Sequence, residues 1–228
     1  MASNPQIIHT ISPGGWTKAA LHIVMHEGRR AVLKDFSGKS LPVRWLGRLQ
    51  IAREARAYRR LAGVPGVPAF FGRPNGLSLL VEEIRGRALP RFRLRKESER
   101  AGLLAQLNET LNAVHARGVV HNDARGQDNA LVSGAGRVYL LDFAGSICLK
   151  PGGPMHRLFF PLVQRADGAA LIKWKAIMHP EALTEEERRR LRRYTRLRRF
   201  WIFNPKGWGR GGSVERAIED TNGDENRA

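Results

Sequence analysis

The fold is decided by the stretch Val119-Val-His-Asn-Asp-Ala-Arg-Gly-Gln-Asp-Asn-Ala-Leu-Val132 and by Tyr139-Leu-Leu-Asp-Phe-Ala-Gly145, which follows it closely. In each stretch, carboxylate and amide side chains come just after a short apolar run, where buried strands end. Polar groups at such positions are held in place by a rigid scaffold. The two stretches therefore predict a site for a metal ion and phosphate groups.

Both stretches resemble motifs of the protein-kinase-like fold. The first is similar to the catalytic loop of that fold, with His121 and Asp123 as its His and Asp and Asn129 as its metal-binding Asn. The second is similar to its Asp-Phe-Gly segment, with Asp142 as the Asp and Ala144 in the glycine position. The resemblance implies an α+β, two-lobed fold with a reduced C-terminal lobe.

The chain departs from the family pattern in two places, and the first departure indicates a branch within the family. Asn129 lies six residues after Asp123, where protein kinases have about five. This longer spacing resembles small bacterial lipopolysaccharide and Kdo (sugar) kinase-like proteins, or a RIO-like branch. The residues 12–18 also lack the Gly-x-Gly-x-x-Gly pattern of a phosphate-covering loop.

Composition limits the class of protein. The chain has 228 residues, of which 42% are hydrophobic and 26% charged, and it contains one cysteine, Cys148. No apolar run approaches the roughly 18 residues that a membrane span needs, and the first residues do not have the order of a signal peptide. A single cysteine excludes an internal disulfide. We expect a cytoplasmic protein with an N-terminal lobe over 1–84, a C-terminal lobe over 85–212 and a disordered tail over 213–228.

The net charge of +18 and the pI near 11.3 are unusual for such a protein. A charge of this size predicts a polyanionic partner, which can be a nucleic acid, an anionic membrane face or a phosphorylated substrate. It is also compatible with a role in solubility alone.

The N-terminal half supplies three further positions. The apolar strand ending at Lys34 resembles the family strand whose lysine holds the α and β phosphates of ATP. Glu54 lies on the inward stripe of a helix over 41–62, where a carboxylate needs a partner, and Lys34 is the natural one. The alternatives are a solvated Lys34 and a Glu54 that turns outward. Glu83 ends the strand over 77–84, at the position where the resemblance implies contact with adenine.

The resemblance also implies how the remaining residues divide the chemistry of phosphoryl transfer. Asp123 would accept the proton of the acceptor hydroxyl, and Arg125 would neutralise the transferring phosphate. Asn129 and Asp142 would hold Mg²⁺, which prefers oxygen ligands. His121 is expected to be structural.

The segment 185–210 is basic and aromatic. It contains ten Lys or Arg residues against three Glu, and the aromatic residues between them are Tyr194, Phe200, Trp201, Phe203 and Trp208. This composition predicts a membrane-surface element. The alternative is a helix with Glu to Arg pairs four residues apart, and RNA binding suits the same residues.

These observations favour an ATP- and Mg²⁺-dependent kinase. Its expected acceptor is a hydroxyl of a sugar or a lipid-linked sugar, and its expected place is the inner face of the membrane, as a peripheral protein. The competing hypotheses are a catalytically inactive kinase-like scaffold and a basic nucleic-acid-binding protein.

Overall fold

The structure is a computed structural model that describes residues 5–198. Its N-terminal part is a five-stranded antiparallel sheet. Its strands are β1 (Gln6–Ser12), β2 (Ala20–His26), β3 (Arg29–Asp35), β4 (Phe70–Gly72) and β5 (Ser78–Glu82), in the order β1-β2-β3-β5-β4. Side chains alternate between the two faces of a strand. On β3, this alternation places Lys34 on the same sheet face as its cross-strand partner Leu79.

Helix α1 (Leu41–Arg60) covers that face of the sheet. Pro42 in its first turn suits the start of a helix, because the missing N–H would have no partner there. Ile51 and Tyr58 are buried, as the helical pattern predicted, and Glu54 is buried on the same side. The inward stripe of α1 therefore carries one carboxylate toward the strand that carries Lys34.

The C-terminal part is mainly helical. Its helices are α2 (Glu97–Ala116), α3 (Pro154–Val163), α4 (Arg165–Met178) and α5 (Glu185–Arg198). Its strands are β6 (Gly86–Ala88), β7 (Val119–Val120), β8 (Ala130–Ser133), β9 (Val138–Leu140) and β10 (Ile147–Cys148). The strands pair antiparallel in the order β6-β8-β9 and as β7 with β10, so β8 and β9 form a hairpin.

A continuous apolar core connects the two parts. It runs from Ile51 and Tyr58 of α1 through Phe143 to Leu111 of α2 and Trp174 of α4. The Phe143 ring lies edge-on to the Tyr58 ring, with 5.1 Å between their centroids. Because dense packing resists displacement, this core fixes the polar groups at its edge.

The predicted boundary near residue 84 falls between β5 and β6. The tail predicted over 213–228 lies outside the described residues. None of the helices within residues 5–198 is both long and apolar enough to cross a bilayer.

Candidate functional site

Lys34 lies between two carboxylates. Its Nζ is 2.9 Å from Oε2 of Glu54 and 2.8 Å from Oδ1 of Asp142. The contact with Glu54 is the pair that the helix and strand patterns predicted, whereas the contact with Asp142 was not predicted. We call these three residues the lysine cluster.

The lysine cluster has one cation for two carboxylates, and this sets the protonation of each. Burial raises the pKa of Glu54 to about 7, because Lys34 offsets only part of that effect and the charge of Asp142 adds to it. Burial also acts on Asp142, but the charge and hydrogen bond of Lys34 outweigh it and lower the pKa of Asp142. Burial alone would lower the pKa of Lys34, yet the two carboxylates raise it. The cationic lysine therefore stays charged, and the buried Glu54 holds its proton more readily than Asp142.

The backbone at Asp142 has an uncommon conformation that orients its side chain. Its φ of 59° lies in the left-handed region, which Asp adopts more readily than most residues. The carboxylate accepts a hydrogen bond from the N–H of Ala144 at 3.2 Å. The side chain is half-exposed, so it faces the cleft as well as Lys34.

In the 121–129 loop, Asn129 turns toward Asp123. The Asn129 Nδ2 donates to the backbone carbonyl of Asp123 at 2.8 Å and to its Oδ2 at 3.1 Å. The N–H of Leu141 donates to the carbonyl of Asn129 at 2.8 Å, which brings this loop beside Asp142. Because the Asn129 Nδ2 donates to Asp123, the Oδ1 is the side-chain atom of Asn129 that could coordinate a cation.

Gly126 makes room for that amide. A Cβ at this position would lie 2.5 Å from the Asn129 Nδ2, closer than real Cβ atoms come to other atoms. Asp128 is exposed on the same loop.

His121 supports the loop from below. It is fully buried, its Nε2–H donates to the carbonyl of Leu141 at 2.9 Å, and its Nδ1 accepts from the N–H of Asp123 at 3.3 Å. Its ring packs on Phe143 with 4.6 Å between centroids. These contacts match the structural role predicted for His121.

Asp167 of α4 anchors the start of the loop, a role that no sequence pattern predicted. The side chain is completely buried and accepts hydrogen bonds at 2.8 Å from the N–H groups of His121 and Asn122. It also accepts one at 2.8 Å from the Nε2–H of His115. Asn122 has a left-handed φ of 64°, and the hydrogen bond from its N–H to Asp167 helps to hold that conformation.

The next turns of α4 hold the middle of the loop. Trp174 is buried and donates from Nε1 to the carbonyl of Ala124 at 2.8 Å. The Lys173 Nζ donates to the carbonyl of Arg125 at 2.6 Å. We call Asp167, Lys173 and Trp174 the loop anchor, because each binds the backbone of the 121–125 segment.

Glu83 lies at the end of β5, between the two parts of the fold. Its carboxylate forms a two-point ion pair with Arg30, whose second contact measures 3.1 Å. The hydrogen bond from Arg30 lowers the pKa of Glu83. Its N–H donates to the carbonyl of Arg30 at 3.4 Å, so Glu83 joins β3 to the connecting segment.

The basic segment predicted over 185–210 is described only as far as residue 198. Glu185, Glu186 and Glu187 at its start contact Arg188, Arg190 and Lys175, respectively. Of these three contacts, only that of Glu186 with Arg190 is a Glu to Arg pair four residues apart, as the alternative interpretation expects. Glu185 pairs with Arg188 three residues along the helix, and Glu187 pairs with Lys175 of α4. The aromatic residues from Phe200 onward lie outside the described residues.

Comparison with solved structures identifies the fold. The kinase domain of PknI from Mycobacterium tuberculosis matches with a TM-score of 0.53 and 21% identity, over 77% of this chain and 74% of that chain. The chain has a protein-kinase-like fold. No protein-family model matches the sequence, and no curated protein matches it. The predicted α+β, two-lobed kinase-like fold is therefore confirmed. At 21% sequence identity, this similarity establishes the fold alone.

Proposed function

We propose that this protein is a phosphotransferase that uses ATP and Mg²⁺. The observation that carries the proposal is the contact of a single lysine, Lys34, with both Glu54 and Asp142, beside a loop in which Asn129 contacts Asp123. A purely structural lysine needs one counter-ion, whereas a phosphate site needs a fixed cation next to oxygen ligands for a metal.

The side chains at this site fit Mg²⁺ and the phosphates of ATP. The half-exposed carboxylate of Asp142 and the Oδ1 of Asn129 are hard oxygen donors on neighbouring segments. Bound there, the metal would supply neutralisation of phosphate charge. Lys34, oriented by Glu54, would hold the α and β phosphates, and the segment at Glu83 would lie along the adenine.

The acceptor side is assigned to the loop. Asp123 is exposed and its carboxylate accepts from Asn129, which supports a role in receiving the proton of an acceptor hydroxyl. Arg125 follows two residues later with its carbonyl fixed by Lys173, and its charge would neutralise the transferring phosphate.

The acceptor we propose is a sugar or lipid-linked sugar hydroxyl at the cytoplasmic face of the membrane. The six-residue spacing from Asp123 to Asn129 supports a lipopolysaccharide-kinase-like assignment over a protein-directed kinase. The short connection also supports it, since α3 begins only twelve residues after Asp142 and leaves little chain on which a peptide could lie. The charge of +18 favours an anionic acceptor or surface.

Calorimetry tests the nucleotide site. Asp142→Asn keeps the side-chain volume but removes a ligand charge, so Mg²⁺-dependent ATP binding should fall at least about tenfold. Asp128→Asn is the matched control, because it makes the same change at an exposed carboxylate of the neighbouring loop. Equal affinity of Asp142→Asn and wild type for Mg²⁺-ATP would contradict the proposal.

A transfer assay tests the acceptor. Purified protein with radiolabelled ATP and Mg²⁺ should label a lipid A core or sugar fraction in preference to added protein substrates. Nucleotide binding without transfer to any of these fractions would favour the inactive scaffold instead.

A further inference from the structure

Helix α3 presents an exposed apolar stripe. Met155, Leu158, Phe159 and Leu162 follow the spacing of one helix face, and these side chains are between 40% and 70% exposed. We call these four residues the α3 stripe. Large apolar side chains that are contiguous and exposed mark an interaction surface more often than single ones do.

The opposite side of α3 attaches the helix to the protein. Phe160 is buried, with its ring edge-on to His115 at 5.8 Å between centroids. His156 stacks on Phe160 at 4.3 Å. The stripe therefore lies on the outward side of a helix that already has an inner contact, and within residues 5–198 nothing covers it.

The surroundings of the stripe are basic. The sequence from 143 to 166 contains no Asp or Glu, and it carries Lys150, Arg157 and Arg165. Arginines of α1 approach the same segment. Arg53 donates to the carbonyl of Ala144 at 2.9 Å, and Arg60 donates to that of Leu149 at 2.6 Å.

An exposed apolar stripe with basic neighbours favours one kind of binding partner over another. A second copy of the chain would bring the same basic residues against one another across a symmetric contact, which is unfavourable. A projecting helix with an apolar face and basic neighbours is instead typical of an element that lies in the interface of an anionic bilayer.

We propose that the α3 stripe inserts into the surface of an anionic membrane, with the exposed side chains of Lys150 and Arg157 facing its headgroups. The inference deepens the proposed function and rests on it, because a lipid-linked acceptor is what would make this orientation useful. The segment 142–153 leads directly from Asp142 to α3, so docking brings the acceptor side of the site near the bilayer.

Vesicle sedimentation with the full chain tests the surface. The wild type should sediment with phosphatidylcholine vesicles that contain phosphatidylglycerol, and less with phosphatidylcholine alone. Leu158→Ser combined with Leu162→Ser should weaken binding on the order of tenfold. Ile7→Ser with Ile11→Ser is the matched control, because these β1 side chains are comparably exposed, at 54% and 52%. Both pairs are solvent-exposed, and unchanged circular dichroism would verify folding.

The remaining outcomes are decisive as well. Equal sedimentation of the α3 variant and the wild type overturns the proposal, as does a wild type that ignores anionic vesicles. A wild type that dimerises in light scattering through the stripe, without binding vesicles, also overturns it. Asp142→Asn should still bind vesicles, and the α3 variant should still bind Mg²⁺-ATP, so a failure of the nucleotide site and a failure of the membrane surface are separately visible.

Discussion

The lysine cluster and the loop anchor hold neighbouring parts of one cleft by different means. In the lysine cluster, side chains hold other side chains through charge, with Lys34 between Glu54 and Asp142. In the loop anchor, Asp167 and Trp174 hold backbone groups of the 121–125 segment through directional hydrogen bonds. The cluster can rearrange when another charge arrives, whereas the anchored backbone has a fixed shape.

This difference separates the two tasks of the site. Phosphates and a metal bring their own charges, and a site for them needs counter-ions that can change partner. A group that receives a proton from an acceptor must instead be held in one position. Substitutions should therefore affect ligand binding and protonation in the lysine cluster, and conformational stability in the loop anchor.

The largest expected effect is that of Asp123→Ala on turnover. If Asp123 receives the acceptor proton, phosphoryl transfer should fall by about 10² to 10⁴-fold, while the affinity for Mg²⁺-ATP stays near that of the wild type. Steady-state turnover and calorimetry measure the two quantities. Asp128→Ala in the same loop is the control, and full turnover of Asp123→Ala would exclude its assigned role.

Asp167→Ala should cause the largest loss of stability. It leaves the buried N–H of His121 and the partly buried N–H of Asn122 without their acceptor, and a buried group left in this way costs roughly 1 to 3 kcal/mol. We expect the free energy of unfolding to fall by about 3 kcal/mol or more in urea denaturation. A loss below about 1 kcal/mol would mean that the loop keeps its shape without Asp167.

Glu54→Gln should change how stability depends on pH. Folding raises the pKa of Glu54 from 4.5 to about 7, so the folded state binds this proton more tightly than the unfolded state. Its contribution to stability is complete below pH 4.5 and is lost as the pH rises through about 7. Relative to Glu54→Gln, the wild type should lose roughly 1 to 3 kcal/mol over this range.

Urea denaturation at a series of pH values measures this difference. Asp142 does not contribute to it, because its lowered pKa confines its own effect to a more acidic range. Parallel pH profiles for the wild type and Glu54→Gln would contradict the protonation assigned to Glu54.

Trp174→Phe should have the smallest effect. The change removes the Nε1–H that donates to the carbonyl of Ala124 but keeps a large aromatic ring in the core. We expect a loss of roughly 1 to 2 kcal/mol in the free energy of unfolding, less than for Asp167→Ala. An equal or larger loss would show that packing, and not the number of hydrogen bonds, dominates the loop anchor.

The sequence predicted the lysine cluster better than the loop anchor, for a physical reason. Helical periodicity places Glu54 on the inward stripe of α1, and the resemblance to the kinase-like strand supplies Lys34 as its partner. The membrane partner and the roles of the site residues stay predictions.

Asp167 had no such signal. It stands in an ordinary helical stretch, Arg165-Ala-Asp-Gly168, and its partners are backbone groups that any residue type at 121 and 122 would offer. The contact of Lys34 with Asp142 was missed for a related reason. The Asp142 side chain reaches Lys34 from a left-handed backbone, a conformation that local composition does not indicate.

Phe160 connects α3 to the loop anchor through His115. The Phe160 ring touches His115, His115 donates to Asp167, and Asp167 holds the amides of His121 and Asn122. Gln164, just after α3, donates to the other nitrogen of the same imidazole. A tilt of α3 would therefore turn this imidazole or uncover Phe160. Through His115 and Asp167, the orientation of α3 is coupled to the backbone at the start of the 121–129 loop.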